Sequence, residues 1–344
     1  MNKGKIQKKG SQIKIVYRDE STSTEGFSIE SLIEELGLEL QAMATSAGVL
    51  VINSIMGTEQ DHLAGKRYDQ TTEVDRWGRQ PGYVMLGGQK VSVDRPRLRK
   101  KDGKEVVLES YQRFQQDDER TRAVFQRMVA GISCRNYPET IETIRDGYGI
   151  SKSVVNREMV EATSEQLKLL MERDLSTFDL CVLIVDGVRL GESMFIVALG
   201  VDVVGKKQVM GFREGPTENA EVCIKLFEDM VGRGIKTDTA ILALLDGSKA
   251  LHSAVKRFFG SGTPIQRCQF HKRENVKSHL PKKYHAEFGR KIQAAYKMNR
   301  YDDAKRALQG VIKELTFLNH SAAESLAEGL EETLTVHRLE MLIL

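Results

Sequence analysis

The chain has 344 residues, of which 40% are hydrophobic and 29% are charged, and its formal net charge is +3. This length is too great for one compact core and allows two or three domains, while the composition excludes a disordered or fibrous protein. The four cysteines are scattered without paired spacing, which argues against a disulfide framework and favours a reducing compartment.

The N-terminal residues are basic and then rich in serine and threonine, so we expect residues 1–25 to form a loosely ordered basic tail. They include no apolar stretch like that of a signal peptide. No segment of the sequence comes close to the roughly 20 apolar residues that a membrane helix needs. The sequence therefore predicts a cytoplasmic protein with no membrane partner.

Residues 26–115 are predicted to form an N-terminal helical and β-hairpin region. An amphipathic helical pattern runs in pieces from about Phe27 to about His62. Two strands follow, at Tyr83–Met85 and Lys90–Val93, joined by a two-glycine turn. The second strand leads into basic residues that could contact phosphate, or simply form a solvated charged face: Arg95, Arg97, Arg99 and Lys100.

Residues 116–175 have the pattern of a helix-turn-helix. A short helical run over residues 138–145 is followed by a glycine-containing break and a second helix that we expect over residues 151–163. The side chains of this second helix that are placed for contact with DNA are Lys152, Ser153, Asn156 and Arg157. An ordinary helical hairpin would have the same pattern, so the residues alone leave both interpretations open.

From Cys181 onward, strands alternate with helices, which indicates an α/β layer with a largely buried sheet. The predicted strands are Cys181–Val185, Phe195–Val204, Gln208–Phe212, Ile241–Leu245 and a short one from Ile265, and the predicted helices are Glu218–Val231 and Ser248–Phe259. After His271 the sequence is helical and rich in charged residues. We therefore assign residues 176–270 to an α/β core and residues 271–344 to a helical region.

Two of the predicted strands end in the same way, with an aspartate followed by a glycine. Asp186 follows Val185, and Asp246 follows Leu245. Ligands of open α/β sheets bind at the carboxyl ends of strands, and two buried carboxylates on neighbouring strands repel each other unless a cation lies between them. Carboxylate oxygens suit Mg²⁺ or Mn²⁺. One such aspartate often only caps a turn, but the matched pair favours a metal site.

Cys268 and His271 have a spacing that could suggest zinc. A closed zinc site needs four ligands, however, and the next histidines, His279 and His285, lie on a predicted helix in poor geometry for it. A structural thiol and an ordered histidine are the favoured interpretation.

The segment Gln266–Val276, which reads Gln-Arg-Cys-Gln-Phe-His-Lys-Arg-Glu-Asn-Val, closely resembles the hallmark segment of the bacterial Mutator-type insertion-sequence transposases. Asp186 and Asp246 lie upstream of it at spacings that fit, and the resemblance covers roughly residues 120–344. The resemblance implies a ribonuclease-H-like mixed-sheet core with an all-helical insertion. A mainly helical DNA-binding region with a small β-hairpin would precede this core.

The same resemblance implies an Asp-Asp-Glu metal site that catalyses DNA strand cleavage and strand transfer with Mg²⁺ or Mn²⁺. Asp186 and Asp246 match its first two acids, as catalytic residues and metal ligands. The implied partners are double-stranded DNA (terminal inverted repeats and target DNA) and further copies of the chain in a homo-oligomer, in a nucleoid-associated cytoplasmic protein. The residues that the resemblance places near the site are Cys268, His271, Lys272 and Arg273.

The end of the sequence departs from the family pattern. The third acid of the family lies after the insertion in a short segment of Asn-x-Ile-Glu character, and no such segment is present here. The late acids lie in a run that resembles insertion: Glu324, Glu328, Glu331, Glu332 and Glu340. We therefore expect an incomplete, truncated core with impaired catalysis. The alternative function is a truncated DNA-binding regulator or inhibitor of transposition without catalysis.

Overall fold

The computed structural model describes the backbone of residues 5–9, 12–16, 29–65 and 72–339, and the side chains of residues 34–65 and 72–339. Its mixture of helices and mixed sheets confirms the α/β part of the predicted fold class. The chain divides into two compact units. The first unit comprises Met1–Glu39, Asp174–Val188 and Met194–Leu344, and the second comprises Leu40–Arg173 and Arg189–Ser193.

The described residues form ten strands and thirteen helices. The strands are β1 (Lys5–Lys9), β2 (Gln12–Val16), β3 (Val74–Leu86), β4 (Gln89–Lys100), β5 (Glu105–Val106), β6 (Leu180–Leu190), β7 (Ser193–Asp202), β8 (Lys207–Glu214), β9 (Leu242–Leu245) and β10 (Ile265–Arg267). The helices are α1 (Ile29–Ala64), α2 (Glu109–Phe114), α3 (Glu119–Ser133), α4 (Tyr137–Gly147), α5 (Arg157–Met171), α6 (Ala220–Gly232), α7 (Lys249–Phe259), α8 (Gln269–Ser278), α9 (Lys282–Tyr296), α10 (Tyr301–Leu318), α11 (His320–Ala327), α12 (Leu330–Thr333) and α13 (Thr335–Arg338).

The basic N-terminal segment contains a β-hairpin. Strands β1 and β2 pair antiparallel, with Lys5 opposite Val16. The sequence predicted no strand in these two segments. Ile13 and Ile15 alternate with polar neighbours, which is the two-residue period of a strand. The rest of residues 1–25 lies outside the described residues.

Helix α1 is continuous, whereas the sequence predicted helix in pieces. Its fully buried positions recur every three or four residues, as they do in a helix that packs against a core: Leu36, Leu40, Ala44, Ala47, Val51 and Ile55. The stretch Glu34–Ala64 is nevertheless long and apolar enough to cross a membrane by length and composition alone. This corrects the expectation that no segment approaches that limit. A core helix of a globular protein passes the same test.

In the second unit, β3 and β4 form a longer hairpin than the sequence predicted. The predicted turn at Gly87–Gly88 is confirmed, and both glycines have positive φ. Pairing extends outward to Val74 opposite Lys100, with an irregularity between Arg76 and Arg79. The basic residues after Val93 therefore belong to β4 rather than to a connecting segment.

The predicted helix over residues 151–163 begins later than expected, with α5 at Arg157. Asn156 is the residue that caps it, because its side-chain oxygen accepts a hydrogen bond from the Met159 amide at 2.8 Å. Ser151, the cap expected from the sequence, instead shares a hydrogen bond with the Ser153 hydroxyl in a turn. The connection between α4 and α5 is longer than the roughly three to four residues of a helix-turn-helix turn.

The first unit contains a five-stranded sheet with the order β10-β9-β6-β7-β8. Strand β9 is parallel to both β6 and β10, and β7 is antiparallel to β8. Helices α6 and α7 pack on the sheet through residues that include Phe227 and Val255. The strands and helices predicted between residues 181 and 265 are all present; most ends shift by one or two residues, and β6 extends five residues beyond Val185. Helices α8 to α11 enclose a separate apolar cluster with Ile292 and Leu308 at its centre.

Candidate metal centre

Asp186 lies on β6, and Asp246 directly follows the parallel neighbouring strand β9. Val185 of β6 is opposite Leu245 of β9, so the aspartate that follows each of them lies at the same edge of the apolar sheet. The sequence suggested that the strand ends at Asp186. In the structure β6 continues beyond it to Leu190. On one side of β6, strand β9 ends at Leu245. On the other side, β6 lies next to β7, and this pairing accounts for the extension of β6 beyond Asp186.

The Asp186 carboxylate is only 3% exposed and is incompletely hydrogen-bonded. Its Oδ1 accepts a hydrogen bond from the Gly187 amide at 2.8 Å. Its Oδ2 is buried and has no hydrogen-bond partner among the described residues. Burial raises the pKa of Asp186 to about 6; nearby His271 and the Gly187 amide oppose this shift, and Asp246 adds to it.

The Asp246 carboxylate is held at both oxygens. The Thr217 hydroxyl donates a hydrogen bond to Oδ2 at 2.6 Å, and the Ser248 amide donates one to Oδ1 at 2.7 Å. Ser248 also caps the helix that follows, because its hydroxyl accepts a hydrogen bond from the Leu251 amide. Sequence reasoning missed Thr217, which lies in the loop between β8 and α6.

His271 lies beside Asp186, as the sequence resemblance implied, with 3.8 Å between His271 Nδ1 and Asp186 Oδ1. Within the part of the chain that the structure describes, this buried Nδ1 has no hydrogen-bond partner. Cys268 caps α8, since its Sγ accepts a hydrogen bond from the His271 amide at 3.4 Å. Burial raises the pKa of the Cys268 thiol to about 12, so it stays protonated as a structural group.

The Lys272 side chain contacts residues of the C-terminal helical region and not the aspartates, although Lys272 follows His271 in sequence. It is 1% exposed, and its Nζ donates hydrogen bonds to the carbonyls of Ser325 and Glu328 at 2.6 and 2.7 Å. The Glu328 carboxylate lies 3.3 Å from the same nitrogen. The Arg273 guanidinium lies over the ring of Phe270, at 5.4 Å from its centroid. These contacts give Lys272 a structural role in joining α8 to α11.

The late acids of the described chain lie within contact distance of lysine, arginine or histidine side chains. The pairs are Glu324 with His320, Glu328 with Arg267 and Lys272, Glu331 with Lys305, and Glu332 with His252. Glu340 lies outside the described residues. Within residues 34–65 and 72–339, no group of three His, Cys, Asp or Glu side chains is arranged to hold a metal ion. The candidate centre there consists of Asp186 and Asp246, with His271 beside them.

A sequence model of the Mutator family of transposases matches residues 28–343. This chain belongs to that family. The chain is 31% identical over 186 residues to the transposase for insertion sequence element IS6120 of Mycolicibacterium smegmatis, a match that covers 52% of this chain and 56% of the relative. It is 25% identical over 300 residues to the transposase for IS256 in transposon Tn4001 of Staphylococcus aureus, covering 82% and 74%.

A third relative covers more of the chain. The transposase for insertion sequence element ISRM5 of Rhizobium meliloti is 23% identical over 334 residues, which are 92% of this chain and 81% of the relative. The family prediction made from the Gln266–Val276 segment is thereby confirmed. The matched stretch spans little more than half of the mycobacterial relative.

In this transposase-family chain, the basic residues of β4 differ in the groups that their charged ends contact. Both Arg95 and Arg97 pair with Glu105, and Arg97 contacts both carboxylate oxygens at 3.2 Å. Arg99 lies over the indole ring of Trp77, at 4.7 Å from its centroid, and Trp77 is 52% exposed. Lys100 is exposed at the end of the strand. Sequence reasoning missed Glu105 and Trp77, whose pairing with β4 only the strand register reveals.

The candidate DNA contacts before α5 also differ from one another. Lys152 and Ser153 are exposed in the turn that precedes the helix rather than on the helix itself. Asn156 is the helix cap, and Arg157 pairs with Glu161 one turn along at 2.7 Å. A DNA-binding role for these residues stays a prediction.

Proposed function

We propose that this chain is the transposase of an insertion sequence, which binds terminal inverted repeats and catalyses metal-dependent DNA strand cleavage and strand transfer. Asp186 and Asp246 are the catalytic acids and the ligands of Mg²⁺ or Mn²⁺. The observation that carries the proposal is the pair itself. One aspartate lies on β6 and the other directly follows its parallel neighbour β9, and one buried carboxylate oxygen, Oδ2 of Asp186, has no protein partner among the described residues.

We also propose that the sheet is a ribonuclease-H-like core. The order β10-β9-β6-β7-β8 supports this, because β6, the first strand of this sheet along the chain, lies at the centre of the sheet. The next two strands extend the sheet on one side of β6, and the later strands β9 and β10 extend it on the other side. In this arrangement the central strand carries Asp186, and its parallel neighbour leads to Asp246.

The residues present fit a divalent cation. Burying a carboxylate without a partner is costly, and a second carboxylate beside it adds repulsion. A cation between them would remove both costs, and hard oxygen ligands suit Mg²⁺ and Mn²⁺. The pKa of Asp186 is about 6, so at neutral pH its carboxylate is largely ionised and able to bind a cation.

When bound, such ions supply activation of a water or a DNA 3′-hydroxyl and stabilisation of the leaving oxygen in an in-line displacement at phosphorus. The protein side chains have simpler tasks. Asp186 and Asp246 hold negative charge at fixed positions, and the apolar strands behind them exclude water. His271 lies at the edge of the pair and is placed to orient DNA beside Asp186.

The proposed partners are double-stranded DNA, as terminal inverted repeats and target, and a second copy of the chain that holds the other DNA end. Lys152, Arg99 and Lys100 are the residues we propose for phosphate contact, since the charges of Arg95 and Arg97 are shared with Glu105. Trp77 joins them as an exposed aromatic surface. We place the protein in the cytoplasm, at the nucleoid.

The test is a binding and cleavage assay on a labelled terminal repeat of the source element with Mn²⁺. It compares the unaltered chain with Asp186→Asn and Asp246→Asn, and Asp302→Asn is the matched control because Asp302 is exposed on α10. We expect nicking that needs Mn²⁺, disappears in the first two variants and persists in the control. A low nicking rate in the unaltered chain that is still lost in the two aspartate variants would agree with the impaired catalysis expected from the sequence.

The two functional candidates give different outcomes. Binding without any nicking would favour the regulator or inhibitor of transposition over the enzyme. Failure of the unaltered chain to bind the repeat would overturn both.

A further inference from the structure

Within the described residues, the Thr217 hydroxyl donates a hydrogen bond to Asp246, and the Thr217 methyl group lies near Gly187, the residue after Asp186. We infer that Thr217 is a positioning residue, whose hydroxyl fixes the Asp246 carboxylate in the orientation that binds a divalent cation. This inference rests on the proposed metal site.

Thr217 is held in place from several directions. It is 5% exposed, and its backbone carbonyl accepts hydrogen bonds from the Ser248 hydroxyl at 2.6 Å and the Cys223 thiol at 3.2 Å. Its Cγ2 would lie 3.5 Å from a methyl group placed on Gly187, the residue after Asp186. A side chain anchored in this way has little freedom, so its hydroxyl can hold another group at a fixed position.

The hydroxyl acts on one oxygen of Asp246. It donates to Oδ2 at 2.6 Å, while the Ser248 amide donates to Oδ1 at 2.7 Å. A carboxylate oxygen has two lone pairs, so one donor on each oxygen leaves one lone pair on each for a cation.

The two aspartates are therefore prepared differently. Asp246 is oriented by donors on both oxygens, whereas Asp186 receives one donor, from Gly187, and keeps Oδ2 open. A cation would bind an already oriented carboxylate at Asp246 and would give the unpartnered Oδ2 of Asp186 a partner. Removing the Thr217 hydroxyl should weaken cation binding without removing a ligand.

The experiment measures Mn²⁺ binding to the full, metal-free chain, from the electron paramagnetic resonance signal of free Mn²⁺, together with thermal unfolding. Thr217→Val keeps the shape of the side chain and removes the donor, and we expect about tenfold weaker Mn²⁺ binding, as for other residues that orient metal ligands. The pair Thr217→Ser and Thr217→Ala lacks the methyl group in both members and differs only in the hydroxyl. We expect Ser to bind Mn²⁺ clearly more tightly than Ala.

The matched control is Thr335→Val. Thr335 is 1% exposed and its hydroxyl donates a hydrogen bond of 2.7 Å to the Ile265 carbonyl, away from the aspartates. Its loss should lower thermal stability as the Thr217 change does, but leave Mn²⁺ affinity unchanged.

The outcomes separate this inference from the proposed function. If Mn²⁺ binding is absent, or survives in Asp186→Ala, the proposed metal site itself is wrong. If Mn²⁺ binds through Asp186 but Thr217→Val behaves like Thr335→Val, or Ser and Ala at position 217 bind equally, Thr217 is merely structural and the inference fails.

Discussion

Two regions of the first unit with buried charged side chains differ in whether those side chains have hydrogen-bond partners. In the β10–α8 polar cluster, which we define as Gln266, Arg267 and Lys272 with residues 325–336, buried polar groups are matched. Lys272 has three acceptors, and Gln266 bonds to the Thr333 carbonyl and the Val336 amide. At the aspartate pair, by contrast, Oδ2 of Asp186 has no partner within the described part of the chain.

The difference separates structural charge from functional charge. An unsatisfied buried carboxylate costs stability, and proteins keep such a group where a ligand or a reaction uses it. A matched cluster stabilises the fold and needs no ligand to do so. By this criterion Glu328, one of the late acids of the sequence, is structural, because it pairs with Arg267 and Lys272. The following changes test whether the criterion holds.

The largest effect should come from breaking the matched cluster. Lys272→Met keeps much of the volume but leaves the carbonyls of Ser325 and Glu328 without the Lys272 donor. We expect about 3 kcal/mol less stability in urea unfolding, because two carbonyls each lose a hydrogen bond from a charged donor, worth about 1.5 kcal/mol or more. Lys277→Met is the control on the same helix, since Lys277 is less buried and pairs only with Glu274, so its loss should change little.

Equal, small effects of the two lysine changes would contradict this view. The cluster would then contribute no more than a surface ion pair, and matched burial would not mark structural charge in this chain.

A smaller effect of opposite sign should come from Asp186→Asn in the metal-free protein. The pKa of Asp186 is raised from 3.8 to about 6 by burial, so the folded state binds more protons than the unfolded state between these pH values. Stability therefore falls as pH rises through this window and levels off above it. Two pKa units correspond to at most about 3 kcal/mol, so the amide should raise stability by about 2 kcal/mol at pH 8 and hardly at pH 4.

Thermal unfolding in EDTA across this pH range measures the effect, with Asp302→Asn as the surface control. Saturating Mn²⁺ should reverse the order at pH 8, because it stabilises only the protein that binds it. A destabilising Asp186→Asn at every pH would mean that the carboxylate is already satisfied, and the contrast between the two regions would disappear.

The sequence was sufficient for the order of elements in the α/β core. Strands buried on both faces appear as continuous apolar runs, so Cys181–Val185 and Ile241–Leu245 could be recognised, and the aspartates at their ends could be expected to meet. The extension of β6 beyond Asp186 could not be predicted, since it depends on pairing with β7 and not on the residues of β6 alone.

Contacts between distant segments were beyond sequence reasoning. Thr217 and Asp246 are joined only by the fold of the sheet and its loops, and no spacing marks the threonine. Glu105 likewise neutralises Arg97 only because β5 pairs with β4. Local competition caused the error at α5, because Ser151 and Asn156 are equally suitable caps, and the choice between them depends on packing.

The smallest effect concerns Asn156, where the same criterion applies to a neutral group. Its side-chain oxygen is already used by the Met159 amide, so we expect it to act as a helix cap rather than as a DNA contact. Asn156→Ala should cost about 1 kcal/mol, while Asn156→Ser, which retains a good cap, should cost little. Lys152→Ala should leave stability unchanged, because Lys152 is exposed in a turn.

DNA affinity then distinguishes the two roles. Lys152→Ala should weaken binding to a terminal repeat and reduce its salt dependence, as expected for a phosphate contact. Asn156→Ser should bind the repeat normally, since the serine cap preserves the helix. An asparagine that contacts a base contributes about 1–3 kcal/mol of discrimination, so a fall in affinity of fivefold or more for Asn156→Ser would show that Asn156 both caps α5 and reads DNA. An internally bonded polar group would then no longer exclude a functional role.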